Sequence, residues 1–163
     1  MALPEFLKRE KNNTNDTEKE KMTEQQAYDL IREWGDELEV RLKDEDFETL
    51  QKELWQAVIS ERLAFDRESE TFVYVLKKPI EKKDGSGFIS MIKIEETDMN
   101  GKREITKHKN DIDTLAALFK AYCKDSEGKQ IELGFLTRIK DRDQAIISAV
   151  ILGFFVQVVP GSK

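Results

Sequence analysis

One histidine and one cysteine among 163 residues remove whole classes of chemistry at the outset. A single cysteine, Cys123, rules out a disulfide within the chain, and a lone thiol suits a reducing compartment. Together the two residues cannot make a Cys/His zinc set. His108 lies between Lys107 and Lys109. The flanking ammonium groups lower its proton affinity and mark it as a solvated turn residue rather than a general base. Cys123 closes a helical stretch, where the partial negative charge of a helix C-terminus works against a thiolate.

Other absences narrow the field further. The N-terminus has no long apolar run, so no secretory signal is expected. The longest apolar stretch, Ala145 to Val159, is fifteen residues, short of the roughly 20 that span a bilayer. No membrane role and a cytoplasmic location are therefore expected. Positive charge is not in excess: 27 basic against 33 acidic residues give a net charge of -6. That balance disfavours nucleic acid, which needs a concentrated basic face. Asp84-Gly85-Ser86-Gly87 lacks the Gly-Lys-Ser/Thr of a phosphate loop and the third glycine of a dinucleotide site. The twelve-residue calcium-loop order is absent. Carboxylate pairs such as Glu95 and Glu96 point to opposite faces of a strand. No cofactor, no metal site and no catalytic constellation are expected, and the chain is read as non-catalytic.

What is present is charge. Charged residues make up 37% of the chain, against about 25% in an ordinary domain, so some segment must be solvated. Lys11 to Lys21 holds no apolar residue, and such a stretch cannot offset the entropy of ordering. Residues 1–22 are expected to be a disordered arm, tipped by Leu3, Phe6 and Leu7. Thr23 and Gln26 form a capping-box pattern, and Ala27, Ile31, Trp34, Leu38 and Leu42 follow at helical spacing. Gly35 weakens the middle of that helix. Asp44 or Asp46 caps a second one, striped by Phe47, Leu50, Leu54 and Val58 and widened by Trp55, Ile59 and Leu63.

From Thr71 the pattern changes. Phe72 to Leu76 is β-branched and aromatic, Lys82 to Gly87 is a turn cluster, and Phe88 to Glu95 reads as a second strand. A β-hairpin over 71–97 is expected, then a turn at Asp98–Gly101 and a short strand over Lys102–Thr106. Asn110 or Asp111 caps a third helix, with Ile112, Leu115, Ala116, Phe119 and Tyr122 on one face. Ile131 to Ile139 reads as a short helix. Asp141 or Asp143 starts the last helix, which runs from Ala145 to about Gln157. The expected fold is α+β: arm 1–22, helical hairpin 23–66, α+β domain 71–158 and tail 159–163.

Two groups of residues are candidates for binding. Trp34 and Trp55 on the helical stripes, with Ile147, Ile151, Phe154 and Phe155 on the last helix, are either core or contact points for a partner. A helix apolar nearly all round is central to the core or buried between chains, so a second copy of this chain is one partner to consider. Lys77, Lys78, Lys82 and Lys83 form a local basic patch. With Phe72 and Tyr74 nearby it suits either a single-stranded nucleic acid or a hairpin edge protected by lysines.

The second half has a further pattern. A strand Tyr74-Val75-Leu76-Lys77-Lys78-Pro79-Ile80 is followed by Ile89-Ser90-Met91-Ile92-Lys93-Ile94-Glu95-Glu96. Next come a helix through Leu115 and Phe119, a segment with Ile131 and Leu136, and an aspartate leading into Gly153-Phe154-Phe155. Over residues 72–157 this order resembles the tail assembly chaperones of long-tailed bacteriophages, which begin with a lysine-proline strand and end in a phenylalanine-tipped helix. In that family the protein coats the tape measure protein and helps recruit tail-tube subunits. The resemblance implies those partners and the host cytoplasm. Residues 1–66 would be an extension, and the family's Glu-Pro-Thr run is here Glu95-Glu96-Thr97-Asp98. The expected function is a protein-binding assembly factor, with a structural virion or tail subunit held by its arm, or a nucleic-acid binder, as alternatives.

Overall fold

The computed structural model describes residues 22–156 except 83, 108–109, 132–133 and 135–136. The expectations for Leu3, Phe6 and Leu7 of the arm, for Lys83, His108 and Leu136, and for the 159–163 tail lie outside those residues.

Helix α1 (Glu24–Glu37) begins as its sequence predicts. The Thr23 hydroxyl accepts from the Gln26 N–H at 3.1 Å, and the Gln26 carboxamide accepts from the Thr23 N–H at 2.9 Å, which satisfies two end donors at once. Ala27, Ile31 and Trp34 form its buried stripe. Gly35 serves packing: a Cβ there would sit 2.5 Å from the Phe47 ring, so the glycine lets α2 cross closely. Helix α2 (Asp44–Ile59) starts after Lys43 without a side-chain cap. Asp44 and Asp46, expected as caps, instead lie in its first turn, where negative charge opposes the helix dipole favourably. The helical hairpin expected over 23–66 ends at Ile59. Glu61 takes a φ of 59° and turns the chain into a strand.

That strand is β1 (Leu63–Asp66), followed by β2 (Thr71–Glu81), β3 (Phe88–Ile94) and the two-residue β4 (Cys123–Lys124). They form one antiparallel sheet in chain order. Leu63 pairs with Tyr74 and Phe65 with Phe72, while Phe72 pairs with Ile94 and Tyr74 with Ile92. Since paired residues share a face, these six side chains lie together. Helices α1 and α2 and the C-terminal helix cover them in one hydrophobic cluster. The β2–β3 hairpin turns through Lys82–Gly87, closed by the Lys82 N–H to the Gly87 carbonyl at 2.8 Å.

Two segments differ from their sequence reading. Met99–Thr106 is helix α3, not a turn and a strand. Asp98 caps it by accepting from the Gly101 N–H at 2.9 Å, and a local cap outweighs the weak strand pattern where no neighbouring strand is at hand. In helix α4 (Asp111–Tyr122), capped by Asn110, Leu118, Phe119 and Tyr122 are buried, but Ile112 is 80% exposed and does not belong to the packed face. In the stretch expected as a short helix Gly134 is helical and Thr137 and Arg138 form a turn, its other members lying partly outside the described residues.

The last helix, α5 (Asp141–Val150), starts at Asp141, one of the two starts the sequence offers, and passes into a π turn at Ile151–Phe155. Gly153 sits against α2, where a Cβ would lie 2.6 Å from Leu50 Cδ1. The architecture is α+β, as the sequence predicts. No helix of the described residues is long and apolar enough to cross a membrane.

Candidate partner-binding groove

The last helix is not short of cover. Ile147 and Ile151 are fully buried, and Phe154 and Trp34 nearly so. Phe72 is the centre of this packing: Trp34 meets its edge at 5.6 Å and Phe154 lies 4.6 Å away. Phe155 is half-buried and stacks on Tyr122 at 5.9 Å, and Trp55 is half-buried against the core. The sequence reading left these residues open between core and contact. Trp34, Ile147, Ile151 and Phe154 are enclosed by the chain's own sheet and helices, so in this fold they are core. The cover comes from α2 and from β2, against which the last helix packs. From that helix and its π turn, Leu152 is the large apolar side chain left open, at 52% exposure.

The same packing answers the question of Phe72 and Tyr74. Both lie on the buried face, so neither can stack on a base. The lysine patch stands without the aromatic platform expected beside it.

What organises that patch is Asp143, at the third position of α5. Its carboxylate accepts the Tyr74 hydroxyl at 2.7 Å, the Lys77 N–H at 3.0 Å and the Lys78 N–H at 3.2 Å. The contact falls where β2 bulges: the β2–β3 register shifts between Val75 and Ile80. The bulge frees two strand amides, and Asp143 supplies their acceptor, as a buried polar group requires. Burial, then the bond to Asp143, pushes the Tyr74 hydroxyl well above its usual pKa, so it stays a donor. The bulge also throws Lys77, Lys78 and Pro79 out to solvent.

Beside them lies a groove of about 880 Å³ between β2 and the start of α5. Arg138 ties its far end by donating to the Glu81 carbonyl at 2.6 Å. Lys77, Lys78, Arg138, Lys140 and Arg142 line it, with Glu81 and Asp141 as counter-charges. Ile80 and Ile139 form a buried floor and Pro79 an exposed wall. The sequence reading missed Arg138, Lys140 and Arg142. Their signal was the alternation Arg138-Ile139-Lys140-Asp141-Arg142, hidden because Asp141 reads as a cap. Lys82 lies at the start of the hairpin turn and outside the groove lining.

A second cleft, of about 890 Å³, opens between α3 and α4 and has the opposite character. Glu96, Asp98, Glu104 and Asp113 line it, with Lys120 and Lys124 among them. No cluster of three or more potential metal ligands occurs among the described residues. Cys123 is fully buried and its thiol is pushed well above its usual pKa by that burial, which removes it as a nucleophile in the folded chain.

Comparison of the sequence with family models and curated proteins, and of the fold with solved structures, finds no match.

Proposed function

We propose that this chain is a non-catalytic protein-binding assembly factor of the kind resembled by its second half, a tail assembly chaperone whose partners are the tape measure and tail-tube proteins. One observation carries the reading. The lysine-proline strand and an aspartate in the first turn of the last helix, two marks of the resemblance far apart in sequence, meet in a single clasp at Asp143. That clasp presents an open, charged groove rather than a closed pocket with a reactive group. Of the two roles open to the last helix, core or partner contact, Ile147, Ile151 and Phe154 take the first, because they are enclosed. Contact then falls to exposed surface, and Ile151→Asp tests folding, not binding.

Co-expression with a tape measure protein and tail-tube subunit from the same genome tests the reading. Stoichiometric co-elution on affinity purification is expected, with the chain absent from finished particles. A chain that elutes alone overturns the proposal, and a chain retained in particles favours a structural subunit instead.

A further inference from the structure

The basic groove is unusual for this molecule. The chain is acidic overall, and Arg32, Lys52, Arg67, Lys107, Lys124 and Lys129 are each held in an ion pair. Lys77, Lys78, Lys140 and Arg142 form none among the described residues, yet all four line the same groove. Like charges gathered without partners repel one another, and an incoming anionic group relieves that repulsion. The first turn of α5 faces the same space and has no side-chain cap, which adds the positive end of a helix dipole.

Three observations narrow the occupant. A volume of about 880 Å³ lies at the upper end of the roughly 300–1,000 Å³ typical of ligand sites, too large for a lone anion. Glu81 and Asp141 interrupt the cations, which suits a segment of mixed side chains and works against a continuous phosphate backbone. Among the described residues no aromatic side chain lines the groove, so bases find no stacking surface among them, whereas Pro79 offers apolar contact to a peptide.

We infer that this groove docks an extended, carboxylate-rich segment of a partner protein. The inference rests on the assembly-factor reading and names where and by what chemistry the partner is held. Carboxylates of the segment lie against Lys78, Lys140 and Arg142, and its backbone runs along Pro79.

The test uses the full chain and labelled model peptides: one alternating glutamate and aspartate with leucine and valine, one with lysine in place of the acids, and an oligothymidylate. Binding is followed by fluorescence anisotropy, and the site by amide chemical shifts. The acidic peptide is expected to bind, to weaken as salt rises, and to shift the amides of Lys77–Ile80 and Lys140–Gln144. Lys78→Glu with Arg142→Glu is expected to weaken it at least about tenfold, as reversal of rim charges does. If that pair fails to fold, Lys78→Gln with Arg142→Gln replaces it. No binding, equal binding of the two peptides, preference for oligothymidylate, or shifts confined to other surfaces overturns the inference. A folded double variant that still co-elutes normally with the tape measure protein overturns the groove and leaves the assembly reading standing. Acidic-peptide binding by a chain that captures no tape measure protein does the reverse.

Discussion

Phe72 touches the rings of Trp34, Phe65, Phe154 and Phe155, while Ile112 and Met99 stand in solvent. The two regions they represent are built on different principles. Under α1, α2 and α5, side chains brought from across the sequence bury one face of the sheet. In the α3–α4 arm, by contrast, α3 has no buried residue and is held by local devices: the Asp98 cap, the Lys107–Glu104 ion pair and contact with α4. Leu118, Phe119 and Tyr122 at the end of α4 are buried in the core, while Ile105 and Leu115 pack against it partly buried. Stability in this chain is therefore expected to follow burial between residues distant in sequence rather than helix content.

The strongest way to break that contrast is Ile151→Asp. Placing a charge at a fully enclosed site has no compensating partner, so no folded protein is expected, read as loss of a cooperative thermal transition. Asp143→Ala comes next. It strands the Tyr74 hydroxyl and two strand amides, at about 1–3 kcal/mol for each group left buried and unpaired, less where water reaches the amides. A total loss of about 2–4 kcal/mol is expected in urea titration, and an unchanged midpoint would show that the clasp is ornamental. Gly153→Ala pushes a methyl into Leu50 and is expected to cost about 1–3 kcal/mol.

Changes in the arm sharpen the other side. Asp98→Ala removes a helix cap worth about 1 kcal/mol. The expected result is faster amide exchange within α3 while the urea midpoint of the whole chain stays almost fixed. Ile112→Ser should move stability by no more than about 0.5 kcal/mol. A large loss in the same urea measurement would show that the arm is packed into the core after all.

Legibility in the sequence followed the same division. Features set by neighbours in the chain could be read: the Thr23–Gln26 box, the stripes of α1 and α2, and the hairpin about Asp84–Gly87. Strand β1 was hidden because Leu63 continues the helical spacing of α2, and only the positive φ at Glu61 breaks it. Helix α3 was hidden because Asn100 and Gly101 read as a turn, although Asp98 reaches back to cap them. Residues of the groove could not be joined on paper, since Lys78 and Arg142 meet only through a bulge and a buried carboxylate. The apolar run of the last helix was visible, but not the sheet that covers it.

The bond between Tyr74 and Asp143 spans 69 positions, and this separation has a consequence during synthesis. A ribosome adds roughly 5–20 residues per second, so the aromatic strand emerges several seconds before the helix that will roof it. During that interval the nascent chain leaves Phe72 and Trp34 without the cover of α5. Only when α5 clears the exit tunnel and seats its carboxylate on the strand can the bare surface close, which makes the emergence of that helix the moment at which the aromatic core is covered.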